Sequence, residues 1–162
     1  MTTITYLEMR DADKWVLRKT RDPKFTVRES LADQWQESRS FYLAVGEQWQ
    51  WQDQRDWTEA QWCDYAEADS LRTFVVEHRT TSAGYFELRR EQTGDVEIVH
   101  LGLLPSFIGK GLGGPLLSQA LRRAWNWDAK RVWLHTCSKD HPRALDNYLK
   151  KGFAVFKTET QE

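Results

Sequence analysis

The sequence predicts a mixed α/β fold, in which one domain of residues 1–162 is built on a central sheet of about six strands flanked by helices. Three observations support this prediction. The chain has 162 residues, the usual size of a domain. Strand-like runs follow one another between residues 72 and 104, and helical periodicity appears before and after them. The order of strand, helices, three strands, helix, strand, helix, strand is typical of a mixed, mostly antiparallel sheet.

The first elements are a short strand and two helices. Residues 4–9 read as the strand, and residues 31–43 and 57–68 show helical patterns. Thr58 stands at the start of the second helix with Gln61 three positions later, which is the spacing of a capping box.

The next three strands form a meander. Runs at 72–79 and 84–91 flank a turn near residues 80–82, and a tight turn leads into a third run at 96–104. A two-residue hairpin loop at Thr93 and Gly94 would set the register. It would pair Arg90 with Glu97, Leu88 with Val99 and Phe86 with Leu101, and would put Glu87 opposite His100 on the other face.

A helix, a strand, a helix and a strand complete the chain. The helix that begins near residue 112 has an apolar stripe at helical spacing, and the opposite side carries Ser118, Gln119, Arg122 and Arg123. Pro115 fits only its first turn. Residues 130–137 read as a strand, residues 141–151 as a helix stopped at Gly152, and residues 153–159 as the last strand.

Composition limits the class of protein. Hydrophobic residues make up 40% and charged residues 29% of the chain, as in ordinary globular proteins. There is no apolar window long enough for a membrane span and no apolar signal core near the N-terminus. Cys63 and Cys137 form no CxxC pair. We therefore expect a reduced, cytoplasmic protein.

Charge is unevenly distributed along the chain. The net charge of −1 argues against a nucleic-acid partner. Residues 1–96 hold 13 Lys and Arg against 18 Asp and Glu, whereas residues 97–162 hold 10 against 6. The basic half contains a loop with four glycines at positions 109, 111, 113 and 114, and a positive surrounding would suit an anionic ligand there.

The glycine loop opens a helix, and three phosphate-bearing ligands could account for it. A P-loop requires GxxxxGK[ST], but Lys110 is followed by Gly111 and no Ser or Thr stands where magnesium would bind. A dinucleotide loop requires an acidic residue at the end of the next strand, and Asp128 comes before that strand. A pyrophosphate held by backbone N–H groups at a helix N-terminus fits better, because glycine allows close approach and the helix dipole favours negative charge.

The segment "LGLLPSFIGKGLGGPLL" resembles the acyl-CoA-binding motif of the GNAT superfamily of N-acyltransferases. Leu103-Leu104-Pro105 matches the V-x-P of that motif, and Gly111 and Gly113 match its two key glycines. Ile108 departs from the Gln or Arg that the motif has at this position. The resemblance extends over residues 72–156.

The resemblance implies a site for acetyl-CoA as co-substrate. The backbone of Leu101, Gly102 and Leu103 would pair with the pantetheine arm. The loop of Gly109, Lys110, Gly111, Leu112, Gly113 and Gly114 would take the pyrophosphate. The strands at 96–104 and 131–137 would splay apart to admit the thioester.

The resemblance also suggests two catalytic residues. Glu97 lies in "VEIVHLGL", which is similar to the strand that carries the catalytic base in histone-acetylating members; its alternative role is a salt bridge to Arg90. Glu87 and His100 are the fallback bases. Tyr148 in "ALDNYLKKGF" resembles the tyrosine that protonates the CoA thiolate; its alternative role is core packing.

Other polar and aromatic residues have less defined roles. His141 stands where many family members carry Asn, and Cys137 is expected to be a structural thiol. The histidines lack metal-site spacing, so we expect no metal. The connector of residues 49–62 is rich in tryptophan and would either form an aromatic wall for a cationic amine or cap the core or a dimer surface.

The expected function is transfer of an acetyl group to a primary amine by direct attack, so the protein is expected to be an acyl-CoA-dependent N-acetyltransferase. The acceptor would be a small-molecule or peptide amine, with no nucleic-acid or membrane partner, and the protein a monomer or homodimer. The alternative function is a non-catalytic module that senses acyl-CoA.

Overall fold

A seven-stranded sheet forms the centre of the computed structural model, which describes residues 1–14 and 25–162. The strands are β1 (Thr2–Met9), β2 (Phe25–Ser30), β3 (Leu71–His78), β4 (Thr81–Arg90), β5 (Asp95–Leu103), β6 (Arg131–Cys137) and β7 (Ala154–Gln161). Their order across the sheet is β2-β3-β4-β5-β6-β1-β7. All neighbours are antiparallel except β5 and β6, so the predicted mixed, mostly antiparallel sheet is confirmed.

Within the described residues, four α-helices flank the sheet: α1 (Trp35–Gly46), α2 (Glu59–Glu67), α3 (Gly113–Asn126) and α4 (Ala144–Lys151). The first begins later than predicted, because residues 31–34 form a turn closed by the bond from Gln34 N to Leu31 O. The predicted capping box of α2 is confirmed: the Thr58 hydroxyl accepts from Gln61 N, and the Gln61 side chain accepts from Thr58 N.

The main core lies between the sheet and α3. The predicted stripe is confirmed, because Leu116, Leu117, Ala120 and Leu121 are buried among side chains of six strands. Burial of each large apolar side chain contributes roughly 1.5–3 kcal/mol. The prediction that Ser118 faces solvent is wrong: it is buried, and Lys151 Nζ of α4 donates to its hydroxyl at 2.6 Å.

Strand β2 is the strand that brings the count from six to seven. It pairs with β3 at one edge of the sheet, and Phe25 packs into the main core. The alternating run Phe25-Thr26-Val27 is a weak strand signal. Only three residues carry the alternation before charged residues follow, so the sequence alone does not predict this strand.

A β-bulge at Val99 changes the predicted register. Phe86 pairs with Leu101 and Glu87 with His100 as predicted, but Leu88 pairs with Ile98. Val99 therefore has no partner on β4, and every pair nearer the turn is shifted by one residue. The shift moves Glu97 opposite Arg89 instead of Arg90.

The bulge also determines which side chains share a face. Val96 and Ile98 face α3, and so do Leu101 and Leu103. Successive residues of a regular strand point to opposite faces, so an even-numbered and an odd-numbered pair can share a face only if one extra residue lies between them. As a result, Glu97 and His100 lie together on the opposite face, the one covered by α1 and α2. With an unbulged strand, they would have pointed to opposite faces.

The predicted splay of β5 and β6 is confirmed. The two strands pair at only three positions, Asp95 with Arg131, Val96 with Val132 and Glu97 with Trp133. Both strands continue beyond this point, to Leu103 and Cys137, without pairing with each other. We call the opening between them the fork.

Candidate active site

The fork exposes a strip of backbone on β5. Leu104 N donates to Ala83 O at 2.7 Å, which fixes the hydrogen-bonding alternation between β4 and β5. By this alternation, the N–H and C=O groups of Leu101 and Leu103 point away from β4 and into the fork. The Leu103 carbonyl accepts a long bond of 3.4 Å from Gln48 Nε2.

Gly102, between Leu101 and Leu103, allows close packing of α1 against β5. Its backbone groups point towards β4, and a Cβ at this position would lie 2.4 Å from Cγ1 of Val45. Only glycine therefore lets α1 pack directly against β5 at the fork. This contact places the C-terminal end of α1, and the connector that follows it, beside the part of β5 that lines the fork.

The glycine loop forms a cradle at the start of α3. Gly109 and Gly111 adopt left-handed backbone angles, with φ of +81° and +77°, which favour glycine. A Cβ added at Gly109, Gly111 or Gly113 would meet no other atom within 4 Å. The glycines thus leave open space in front of the backbone.

The N–H groups along this cradle have no partner in the part of the chain that the structure describes. Within the described residues, none of the backbone N–H groups of residues 110–114 donates a hydrogen bond. Leu112 at the N-cap supplies no capping side chain, and Pro115 has no N–H. Free donors combined with the positive end of the helix dipole suit an anion such as a pyrophosphate. The exposed Lys110 adds a cation, whereas the apolar Ile108 supplies no donor.

Glu97 lies where the fork begins. It is 6% exposed and sits at the last paired position, opposite Trp133. Arg89 Nη2 donates to its Oε1 at 3.1 Å, and Nδ1 of His135 lies 3.7 Å from its Oε2. Arg89 is itself 42% exposed, so this ion pair reaches solvent on the Arg89 side.

Aromatic rings cover the sheet on the β1 side of the fork. Tyr6 contacts Trp133, His135 and Phe156 with ring-centre distances of 5.6 to 6.5 Å. Neither Arg89 nor His135 was singled out from the sequence, because only the bulge and the parallel pair bring them to Glu97.

Glu87 and His100 face each other as predicted, on the same face as Glu97. Glu87 is fully buried, and Nδ1 of His100 lies 2.8 Å from its Oε1. Burial raises the pKa of Glu87, but hydrogen bonds from His100, Ser38 and Thr73 outweigh this effect and hold the pKa below its usual value. The carboxylate is therefore ionised at neutral pH.

Tyr148 lies on α4, beside the end of β6. Its ring packs edge-on against Phe153 at 6.0 Å, so it does contribute to the core. Burial, together with the nearby Asp140 carboxylate, raises the pKa of Tyr148, and the phenol keeps its proton. Asp140 closes the end of β6 by accepting from Thr136 Oγ1 and Cys137 N at 2.6 and 2.9 Å.

The connector reaches across the mouth of the fork. The Trp49 ring lies 5.3 Å from His141 in the loop before α4, and the Trp51 ring lies 5.1 Å from His100. Trp62, the last residue of the connector, is by contrast 1% exposed and packs against the rings of Tyr42 and Tyr65. The aromatic segment therefore has both a core part and a part that faces the fork.

Cys137 is a half-buried free thiol, and burial raises its pKa. The thiolate that nucleophilic chemistry would need is disfavoured. Across the described residues, no group of three or more His, Cys, Asp or Glu side chains is arranged to hold a metal ion. None of the helices within these residues is long and apolar enough to cross a membrane.

Comparison with known proteins identifies the family. The model of the acetyltransferase (GNAT) family matches residues 26–153. Uncharacterised N-acetyltransferases of Mycobacterium tuberculosis and Mycobacterium bovis are 34% identical over 101 residues, which cover 62% of this chain and 64% of theirs. The match thus spans less than two thirds of the length of these relatives.

Solved structures share the fold at low identity. A GCN5-related N-acetyltransferase from Sphaerobacter thermophilus has a TM-score of 0.72 at 14% identity over 97% of this chain and 49% of that one. One from Kribbella flavida has a TM-score of 0.67 at 16% identity, over 97% and 57%. An aminoglycoside acetyltransferase from an uncultured soil sample, in complex with trehalose, has a TM-score of 0.66 at 11% identity, over 80% and 88%.

Proposed function

The chain belongs to the GNAT acetyltransferase family, and on this premise we propose that it transfers the acetyl group of acetyl-CoA to a primary amine. The observation that carries the proposal is the fork and the glycine cradle opening beside one another. The cradle offers free N–H donors for a pyrophosphate, and the fork offers free backbone for an extended amide arm. Acetyl-CoA contains both of these parts.

In this proposal, the donor lies along β5 with its acetyl group at the start of the fork. The pyrophosphate lies on the N–H groups of residues 109–114, with Lys110 as a further cation. The N–H and C=O groups of Leu101 and Leu103 pair with the pantetheine arm as an added strand would. Gly102 contributes by letting Val45 approach, since its own backbone groups face β4.

The chemistry is a direct attack of the amine nitrogen on the thioester carbonyl. Glu97 takes a proton from the nitrogen as the C–N bond forms, directly or through water. The C–S bond then breaks, and Tyr148 gives its proton to the departing thiolate. The raised pKa of Tyr148 keeps this proton in place until the thiolate forms. No acyl-enzyme is required, and Cys137 remains a thiol.

The acceptor enters from the face covered by α1 and α2. Trp49 and Trp51 lie on one side of the fork, and Tyr6 and Trp133 on the other. Aromatic faces with Glu97 between them attract a cation, which favours an amine that arrives as an ammonium ion. A fold neighbour solved with the aminoglycoside sisomicin makes amino sugars one group to test.

The test is an assay of the full chain with acetyl-CoA and a panel of spermidine, lysine amide, tryptamine and sisomicin. Release of the CoA thiol and the mass of the acetylated amine are measured together. Turnover of at least one amine is expected. If acetyl-CoA binds but no amine in a broad panel is acetylated, a non-catalytic acyl-CoA sensor replaces the enzyme. Because acetyl-CoA is a metabolite of the cell interior, we place the protein in the cytoplasm.

A further inference from the structure

Glu87 is a buried carboxylate that the reaction proposed above does not use. It is 0% exposed and lies in the middle of β4. Burial of an ionised carboxylate is costly unless its oxygens accept hydrogen bonds. Glu87 has four donors within 2.8 Å, which are His100 Nδ1, Tyr65 OH, Ser38 Oγ and Thr73 Oγ1.

The four donors are divided between the two oxygens. Oε1 binds His100 and Tyr65, while Oε2 binds the hydroxyls of Ser38 and Thr73. An ionised carboxylate can only accept, so Nδ1 of His100 must carry a proton, and in the neutral imidazole Nε2 then carries the lone pair. A hydroxyl can accept and donate at once. The groups therefore form an unbroken hydrogen-bonded chain from the imidazole to the hydroxyls.

One end of this chain is on the acceptor side of the fork. His100 follows the bulge on β5 and shares a face with Glu97, and its ring is surrounded by Tyr42, Trp51 and Tyr85 at 5.1 to 6.3 Å. Among the described residues, Nε2 of His100 has no hydrogen-bond partner. Its lone pair is therefore available to a ligand.

The other end leads to solvent on the far side of α1. Ser38 and Thr73 line a cavity of about 50 Å³, which is large enough to hold water. Its other walls include the exposed residues Leu31, Ala32 and Gln34, so the cavity opens at the surface. The chain thus connects the fork with bulk water by a route that does not pass the mouth of the fork.

The stoichiometry of amine acetylation requires an exit for a proton. An ammonium ion and acetyl-CoA give an amide, a CoA thiol and one free proton. The nitrogen loses two protons, one before it can attack and one after the C–N bond has formed. The second proton goes to Glu97, and it is balanced by the proton that Tyr148 gives to the thiolate. The first has to reach bulk solvent from a site that is lined by aromatic rings on two sides and occupied by the donor.

We propose that His100, Glu87 and the hydroxyls of Ser38 and Thr73 form a proton relay that carries the first ammonium proton to solvent. The proton passes to Nε2 of His100, while the Nδ1 proton passes to Oε1 of Glu87. The carboxyl group then rotates so that its proton faces the hydroxyls that contact Oε2. Ser38 or Thr73 takes up this proton as it passes its own hydroxyl proton to water in the cavity, which restores the carboxylate. This inference rests on the proposed acetylation of an amine.

The titratable groups facing His100 allow this transfer. Burial raises the pKa of each of the three tyrosines, which therefore stay neutral. Glu87 is thus the charged group in contact with the imidazole. The groups are Tyr42 from α1, Tyr65 from α2, and Tyr85 and Glu87 from β4, with Glu97 and Arg89 on the same face nearer the turn.

The test compares pH profiles for the best amine of the panel named above. Glu87→Gln is expected to lower kcat about 100-fold near pH 7, with the KM for acetyl-CoA unchanged. The difference in kcat between the variant and the wild type should disappear as the pH approaches about 10. At that pH much of an alkylamine is already neutral, so it has no first proton to lose. A Ser38→Ala, Thr73→Val double variant should show the same pH-dependent loss of kcat, because it keeps the His100–Glu87 pair and removes the two hydroxyls that pass the proton to water.

Tyr65→Phe is the matched control, because it removes a donor to the same carboxylate outside the proposed route. It is expected to keep the wild-type pH profile. A loss of activity that is equal at every pH would make Glu87 structural and overturn the relay, as would an unchanged kcat near pH 7. If Glu87→Gln does not fold, the double variant decides. If the wild type is active and the relay variants have the same kcat, the relay is wrong and the proposed function stands. If the wild type acetylates none of the amines, the proposed function is wrong and the relay is wrong with it.

Discussion

Glu97 of β5 lies opposite Trp133 of β6, and beyond this pair the two strands separate. The carboxylate is thus fixed at the point where the fork begins. The bulge at Val99 turns it to the same face as His100 and places Arg89 3.1 Å from it. This local irregularity therefore determines which side chains face the fork.

Glu97→Gln should lower kcat by ~10²-fold or more, because the amide cannot accept the proton of the attacking nitrogen. The dissociation constant for acetyl-CoA, measured by calorimetry, should stay the same, since Glu97 does not contact the cradle. Glu159→Gln is the control, because Glu159 binds Tyr6 OH on the same face but lies away from the fork. Full activity of Glu97→Gln would pass the role of base to His100 or to solvent.

Gly113→Val should weaken binding of acetyl-CoA at least tenfold with little change in Tm. Gly113 has an ordinary φ and open space at its Cβ position, so the fold tolerates a side chain that the pyrophosphate does not. Gly111→Val would test less cleanly, because φ of +77° adds strain.

Gly94→Ala provides the contrast. Its φ of +91° lies in the hairpin turn before β5, so the substitution should lower stability by about 1 kcal/mol and leave acetyl-CoA binding intact. Unchanged affinity in Gly113→Val would mean that the ligand lies elsewhere.

Tyr148→Phe should reduce kcat while Tm and acetyl-CoA affinity change little, because phenylalanine keeps the packing against Phe153. Burial and the Asp140 carboxylate raise the pKa of Tyr148, so the phenol stays protonated from neutral pH through the range in which an unperturbed tyrosine begins to ionise. The plot of kcat against pH for the variant should therefore have the wild-type shape with lower kcat values. If the wild type loses activity at alkaline pH and the variant does not, the assignment is contradicted.

Glu37→Gln should alter the pH dependence of stability. Hydrogen bonds from Arg28 and Ser30 hold the pKa of Glu37 below its usual value, against the opposing effect of burial. A depressed pKa contributes stability above the unfolded value of about 4.3, and this contribution is lost as the pH falls through the folded pKa.

The difference in the free energy of unfolding between wild type and Glu37→Gln should therefore be at most about 1 kcal/mol near neutral pH and vanish in acid. Urea unfolding at several pH values measures it. Glu67→Gln is the control, because Glu67 is exposed and has no ion pair among the described residues. A difference that grows on acidification would contradict the assignment.

Thr58→Ala should destabilise the protein by about 1 kcal/mol, because it removes the cap of α2. Thr58→Ser keeps a hydroxyl at this position and should retain most of the stability. Chemical unfolding of the two variants compares them directly, and equal losses would show that the hydroxyl is not what stabilises the helix start.

Much of the fold follows from local patterns. The stripe of α3, the capping box at Thr58 and the stop at Gly152 are each specified within a few residues, and the structure contains all three. Strand β2 could not be predicted in this way, because its pattern is short and its pairing with β3 joins residues about 50 positions apart.

The site was less accessible to sequence reasoning. The glycine loop could be recognised, because glycines weaken ordinary secondary structure and four of them directly before a helix indicate a need for bare backbone. Arg89, the partner of Glu97, could not be predicted, because a bulge of one residue at Val99 has no clear sequence signal. The bulge shifts every pair of β4 and β5 between Val99 and the turn. Ser38, Tyr65 and Thr73 come from three elements, so no spacing indicated that they would surround Glu87.

The measurement that tests the account most directly is the Tm of the wild-type chain and of Gly113→Val with acetyl-CoA, CoA, NAD and ATP in turn. A ligand that binds the folded state alone adds about 2.7 kcal/mol at a hundredfold excess over its Kd. We expect acetyl-CoA and CoA to raise Tm in the wild type and not in the variant. A shift with NAD or ATP alone, or no shift with any of the four, would contradict the assignment of the cradle and the fork.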